Sequence, residues 1–365
     1  MLCDHGKSGN GGRQFESALQ PGTFIEHRSA QVDRSITDGT TATVRVMITT
    51  GATDDRGLPR VLVENVVRGW GEAGRRWLDE LPRLLIEIAD AWRLSVDPPY
   101  PLSFNYVCPA VRADGTPAVL KLGVPGSPLL EREMAALAVW NGRGAAQVLD
   151  HDTTRGALLL QRAVPGTRLR ELVPGRDEEA TAAIVAVLRD LHAAPVPEPG
   201  SPLPALETYR SAFAGHLGHD PDGRLLPRRW VQAADRLFAE LSSDAPRRAV
   251  LHGDLHHDNV LVAGDAPGGW LAIDPHGVVG DPGFEIAPVL YNPDPDRVDP
   301  DLLHLIPARV EQLADGLDLP LERARAWGFV GCVLSAVWNC EDGAGPGGRE
   351  LAVAELLAPA VLRPD

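Results

Sequence analysis

Apolar residues recur at spacings of three and four along "VLVENVVRGWGEAGRRWLDELPRLLIEIADAWRL", starting just after Leu58. That periodicity predicts one helix near 60–69 and a second near 72–93, ended before Pro98-Pro99. The period then changes to two. "FNYVCPAVRADGTPAVLKLG" reads as two strands joined by a turn at Ala113-Asp114-Gly115. "SPLLEREMAALAVWNGRG" follows as a helix of about fifteen residues with a glycine stop, and "AAQVLDHD" and "GALLLQRAV" form two further strands around a turn. Beyond them the pattern is helical at 177–193, 205–217, 227–243, 284–290, 299–316, 320–342 and 347–361. One β-rich insert, "AVLHGDLHHDNVLVAGDAPGGWLAIDPHG", interrupts these helices.

The order of elements gives an α+β chain of two lobes, a small β-rich lobe before a larger helical one, with a boundary near Ala163-Val164. Residues 57–163 hold the first helices and the β-rich lobe, and residues 164–365 the helical lobe. Residues 1–56 are rich in Gly, Ser, Thr, Asp and Arg and lack a sustained period. They are expected to be disordered or loosely attached, with Met47 as an alternative start or "TVRVMI" as an isolated short strand. A chain of 365 residues is long enough for two cores.

Charge changes this picture more than hydropathy does. A formal net charge of −15 argues against nucleic-acid and anionic-membrane partners and favours a small cationic one. No apolar run approaches the ~18 residues of a membrane span, and the N-terminus lacks a secretory pattern, so a cytoplasmic location is expected. Cys3, Cys108, Cys332 and Cys340 stand far apart with no CxxC pair, which is the pattern of reduced thiols. Of the 35 basic residues only Lys7 and Lys121 are lysine, so Lys121 stands alone among arginines. Nothing in the composition bears on oligomeric state.

The strongest chemical signal is His252-Gly253-Asp254-Leu255-His256-His257-Asp258-Asn259, followed by an apolar triplet and, fifteen residues after Asn259, by Asp274 in "LAIDP". Phosphoryl transfer needs one carboxylate to orient the attacking hydroxyl and further oxygen ligands to hold Mg²⁺ against a triphosphate. Asp254 suits the first task, and Asn259 and Asp274 the second. Two rivals compete: a solvated polar turn, and a transition-metal site of His252, His256 and His257. The latter leaves Asp274 unexplained.

Lys121, mid-strand in "AVLKLG", supplies a compact cation for the phosphates, and Glu133, twelve residues on in the next helix, a carboxylate to hold it. Glu131 is the rival partner. A glycine-rich phosphate loop is missing: the chain there reads Pro101-Leu102-Ser103-Phe104-Asn105-Tyr106, so the Ser103 hydroxyl and local amides are the expected substitutes. Asp281 is read as a cap or loop anchor, and Glu285 as a first-turn acid favourable with the helix dipole. Glu341 and Asp342 close a long apolar helix, where acids oppose the dipole; they read equally as a solvated helix end or as a misfit kept to bind a cation.

The order Lys121, Glu133, "HGDLHHDN", "IDP" resembles the aminoglycoside phosphotransferase family. "PLSFNYV", "NGRGAAQVLDHD", "GALLLQRAVPGT", "AIDPHGVVGDPGFEIAP" and "VWNCEDG" look more narrowly like the aminoglycoside/hydroxyurea antibiotic resistance kinases, a group that includes streptomycin 6-phosphotransferases. The resemblance runs from about residue 58 to near the C-terminus. It implies a protein-kinase-like two-lobed fold, ATP with GTP as the alternative nucleotide, and Mg²⁺. It also implies catalytic Asp254, metal ligands Asn259 and Asp274, the phosphate lysine Lys121 paired with Glu133, and a hinge at Gln161-Arg162-Ala163 that meets the adenine. His256, Glu341 and Asp342 are the expected substrate contacts, and a streptomycin-type aminoglycoside the expected acceptor. A metabolic kinase of a sugar or amino alcohol, a hydroxyurea kinase, and a nucleotide-binding module without turnover are the alternatives.

Overall fold

A computed structural model describes residues 53–198 and 200–362. The expectations for Met47, "TVRVMI" and Cys3 lie outside these residues. Residues 53–56 fold back on the first helix: Thr53 bridges to Pro59, and the Arg56 guanidinium reaches Asp54 at 2.6 Å and also contacts Asp79. Helix α1 (Arg60–Ala91) runs as one segment with a break at Gly71 (φ 54°, ψ −123°), a conformation only glycine adopts readily. The two helices read from the sequence are its two halves. Past the break, Gly74 lies so close to α1's first half that a Cβ there would come within 2.5 Å of the Val66 carbonyl.

Strands β1 (Leu94–Val96), β2 (Tyr106–Arg112), β3 (Pro117–Leu122), β4 (Val148–Asp152) and β5 (Ala157–Gln161) form one antiparallel sheet in the order β1-β2-β3-β5-β4. Helix α2 (Pro128–Trp140) lies between β3 and β4 in sequence. Strand alternation sorts β3. Ala118, Leu120 and Leu122 pack in one cluster with Leu62, Leu78, Leu81 and Ile88 of α1, which sends Val119 and Lys121 to the opposite face. β1 was not anticipated; its three residues are too few to show a period.

The rest of the chain is β6 (Pro165–Arg168), α3 (Asp177–His192), α4 (Ser211–His219), α5 (Arg228–Ser243), β7 (Ala249–Leu251), β8 (Val260–Ala263), β9 (Trp270–Ala272), β10 (Val278–Gly280), α6 (Ile286–Tyr291), α7 (Pro300–Gly316), α8 (Leu321–Glu341) and α9 (Arg349–Val361). The helices predicted near 205 and 284 both begin as 3₁₀ turns, Leu206–Arg210 and Pro282–Glu285. α8 is buried from Ala324 through Val337 with only Arg325 partly exposed, as befits a helix apolar on all sides, and α4 to α7 and α9 pack around it. Two small sheets, β6-β8-β9 and β10-β7, frame residues 252–259. The lobes are joined by backbone: Ala146 donates to the Ala272 carbonyl (2.9 Å) and Ala272 to that of Gly144 (2.8 Å). This docks β9, and Asp274 just after it, against the first lobe. No described helix is long and apolar enough to cross a membrane, and Cys108, Cys332 and Cys340 are unpaired.

Candidate active site

Lys121 reaches from β3 across the interlobe cleft. Its Nζ lies 2.8 and 2.7 Å from the two Glu133 oxygens and 2.8 Å from Asp274 Oδ1. Glu133 is buried while Glu131 is exposed. Positions two apart on a helix face about 200° away from each other, so only one of the two can point at β3. Burial alone would discharge the ammonium, but Asp274 and Glu133 outweigh it and raise the Lys121 pKa. Burial lifts the Glu133 carboxyl to about 7 against the pull of Lys121. Partial desolvation works to raise the carboxyl of Asp274, whose side chain is 53% exposed, but Lys121 overrides it and the carboxyl sits below its usual value. Asp274 holds a left-handed φ of 57°, which Asp tolerates better than most residues and which is a strain found often at functional positions.

The 252–259 segment is a tight loop between β7 and β8, pinned at several points. His252 donates Nε2–H to the Ile273 carbonyl (2.8 Å), and its Nδ1 accepts the Asp254 N–H (3.3 Å). Asn259 gives Nδ2 to the Asp254 carbonyl (3.0 Å). Glu285 accepts the backbone N–H of His252 (2.5 Å) and of Gly253 (3.2 Å). The last contact departs from the sequence reading: Glu285 is fully buried and holds the loop rather than serving the helix dipole. Asp281 does cap its turn, accepting from Gly283 N–H (2.8 Å), and is tied to Arg323 of α8.

Asp254 is 7% exposed. Its Oδ2 stands 3.7 Å from His256 Nε2 and 3.8 Å from His276 Nε2. Burial, then the negative charges of Glu285 and Asp274, push its carboxyl well above the ordinary range. His256 is buried with its Nε2 turned to Asp254. Burial depresses it to about 3 and His276 to about 4, so both rings are neutral at physiological pH. His252 spends Nε2 on the Ile273 carbonyl, His256 turns Nε2 to Asp254, and fully buried His257 has no described partner at either nitrogen. No cluster of three or more metal-ligating His, Cys, Asp or Glu exists among the described residues. The transition-metal reading therefore fails.

A lysine held between a helix carboxylate and a strand-end aspartate, opposite a buried loop aspartate, is a phosphoryl-transfer arrangement. Comparison with known proteins agrees. Residues 95–343 match the family model described as aminoglycoside/hydroxyurea antibiotic resistance kinase. The chain belongs to that family. It is an enzyme of phosphoryl transfer with the protein-kinase-like fold. It is 34% identical to the streptomycin 6-kinase of Streptomyces griseus over 317 residues, 84% of this chain and 99% of that one. It is 38% identical to the hydroxyurea phosphotransferase of Kitasatospora aureofaciens over 309 residues, 82% and 85% of the two chains. Among solved structures, an ethanolamine kinase of Plasmodium vivax shares the fold at 12% identity, with a TM-score of 0.54 over 86% of this chain and 94% of that one.

The segment joining β1 to β2 is anchored: the Ser103 carbonyl accepts Asn65 Nδ2 of α1 (3.2 Å), and Asn105 folds down where a Cβ on Gly123 would come within 2.6 Å of its Oδ1. Gln161 spends its N–H on the Gln147 carbonyl (2.8 Å) and its amide on Asp265 (3.2 Å). Ala163 is buried in a small apolar cluster with Ala146, Ala263 and Leu271. Glu341 ends α8, its carboxylate against Gly215 of α4.

Sequence reasoning gave Glu285 the wrong task and missed His276. It also missed Arg170, which ties Asp258 of the loop (3.3 Å) to Asp294 (2.7 Å). The only trace of these in the sequence was an acid or a base close to a motif, which many solvated residues share.

Proposed function

We propose that this chain transfers the γ-phosphate of ATP, with GTP as the alternative nucleotide, to a hydroxyl of a streptomycin-type aminoglycoside, using Mg²⁺. The observation that carries the reading is the Glu133–Lys121–Asp274 bridge facing the buried carboxylate of Asp254. The choice of acceptor draws support from the Streptomyces griseus relative and from the −15 charge, which favours a polycation. The hydroxyurea phosphotransferase relative supports a second reading with hydroxyurea as acceptor.

The residues fit the metal. Asn259 commits its Nδ2 to the Asp254 carbonyl, which frees its amide oxygen, and Asp274 commits Oδ1 to Lys121, which leaves Oδ2. Two oxygen donors with no sulfur or imidazole suit a hard cation that takes its remaining ligands from phosphates and water. Mg²⁺ held there neutralises phosphate charge. Lys121 holds the phosphates, and the hinge at Gln161-Arg162-Ala163 meets the base through its backbone groups. Asp254 accepts the acceptor's hydroxyl hydrogen; its raised pKa makes it a stronger base than an exposed aspartate. The acceptor oxygen bonds to the γ-phosphorus as the bond to the β–γ bridging oxygen breaks and the nucleoside diphosphate leaves. Glu341 and Asp342 attract the cationic groups of the acceptor.

Mass spectrometry of an aminoglycoside panel, hydroxyurea and a set of sugars and amino alcohols after incubation with ATP–Mg²⁺ tests this. Streptomycin gaining about 80 Da, one phosphoryl group in place of a proton, is the expected result. A product only with hydroxyurea selects the second reading, and one only with a sugar or amino alcohol assigns a metabolic kinase. No product at all, with ATPase rates equal for wild type and Asp254→Ala, assigns a binding module.

A further inference from the structure

The catalytic carboxylate has two imidazoles on one oxygen. His256 and His276 come from different elements, the loop after β7 and the turn after β9. Both direct Nε2 at Asp254 Oδ2, at 3.7 and 3.8 Å. The backbone enforces the second approach. His276 and Gly277 N–H groups both bond to the His252 carbonyl (2.8 and 3.2 Å), which zips the two segments together. Gly253, at φ +82°, brings its Cα so near that an added Cβ would lie 3.2 Å from His276 Cβ. A side chain at 253 would be strained at that φ and would require His276 to give by a few tenths of an ångström.

The tautomer at His256 is fixed by its other nitrogen. Nδ1 accepts the Asp258 N–H (3.3 Å), so the single proton of the neutral ring is on Nε2 and faces Asp254. His276 is differently placed. Its side chain is 24% exposed against 6% for His256, so it borders the cleft while His256 is closed off.

We propose that His276 is a positioning residue for the transfer reaction: with His256 it caps Asp254 Oδ2, leaving Oδ1 as the only carboxylate oxygen open to the acceptor hydroxyl. This rests on the functional reading above and adds to it which oxygen takes the proton. The distances stand just outside direct hydrogen-bond reach, as catalytic contacts often do before substrate closes the site. Closing the last ångström locks the carboxylate plane. Without that, Asp254 turns about its terminal torsion and presents either oxygen, which costs rate and leaves ground-state binding alone.

The test compares His276→Gln with His276→Asn and His276→Ala. A glutamine amide nitrogen reaches about as far as imidazole Nε2, and an asparagine amide stops at the Nδ1 position. With the acceptor that the panel identifies, His276→Ala and His276→Asn are expected to lose about 10- to 100-fold in kcat with KM for nucleotide and acceptor within about threefold of wild type. His276→Gln recovers most of the loss. A kcat for His276→Ala within about threefold of wild type, or Gln no better than Asn, overturns the proposal. The second arm needs no acceptor: imidazole ¹⁵N NMR of the full chain. His276 carrying its proton on Nε2, with a signal that moves in Asp254→Ala, is the expected result. An Nδ1–H tautomer, or indifference to Asp254→Ala, overturns it. A wild type that phosphorylates nothing defeats the functional reading, and the NMR arm still decides the pairing.

Discussion

The carboxylate of Glu285 takes the backbone N–H of His252 at 2.5 Å, from a residue 33 positions further along the chain. A second bond, from Gly253 N–H at 3.2 Å, uses its other oxygen. One fully buried side chain thus fixes the backbone two residues before Asp254.

Glu285→Ala leaves two buried N–H groups without an acceptor. At about 1–3 kcal/mol each, a loss of about 3 kcal/mol is expected in urea unfolding. Because the freed backbone carries Asp254, kcat falls as well, by about 10². Normal kcat in a folded Glu285→Ala protein contradicts the clamp.

Lys121→Met tests the bridge between lobes. Removing the cation proposed to hold the phosphates is expected to lower kcat by about 10²–10³. Stability suffers less than the 3–5 kcal/mol typical of a broken buried pair, because Glu133, already near pKa 7, takes up a proton. About 2 kcal/mol is expected at pH 7. Calorimetric titration with nucleotide separates lost binding from lost fold.

His256 is held down to about 3 from an ordinary value near 6.5, with burial the largest cause. Between those values the unfolded chain carries a proton there and the folded chain does not. Its contribution is therefore complete above pH 6.5 and is lost as pH falls toward 3, at up to about 1.4 kcal/mol per pH unit. Asp254 and Glu133, both raised, act in the opposite direction, so the effect is read as a difference between proteins. Nucleotide-free His256→Gln is expected to lose stability less steeply than wild type from pH 6.5 to 4.5, by denaturant midpoint. Parallel curves refute the assignment.

Glu341→Gln combined with Asp342→Asn is expected to raise KM for a polycationic acceptor about tenfold with kcat little changed, and to flatten the dependence of kcat/KM on salt. An unchanged KM places the acceptor site elsewhere.

Most of the element order was legible because its signals are local: a period of two through β2 and β3, a period near 3.6 through α3, α5, α7 and α8, and glycine or proline at the breaks. The motif order Lys121, Asp254, Asn259, Asp274 was legible because phosphoryl transfer admits few residue types at those places. β1 and β6, three and four residues long, carry too little pattern to be seen. Arg309 of α7 was equally hidden: fully buried, it bonds Asp177 at 2.6 Å across 132 positions, and from the sequence it was one arginine among many.

The sequence by itself determined the lobes, their order and the chemical types available at the cleft, since covalent spacing and side-chain chemistry are written in it. Only the tertiary structure decided which groups meet: Asp274 at Lys121, Glu285 beneath the loop, and His276 beside Asp254. Each meeting depends on which way a helix face or a strand face turns once the lobes pack. That direction comes from burial of Leu120 and Leu122 against α1 and of α8 among its neighbours, a property of the whole chain and of no segment within it.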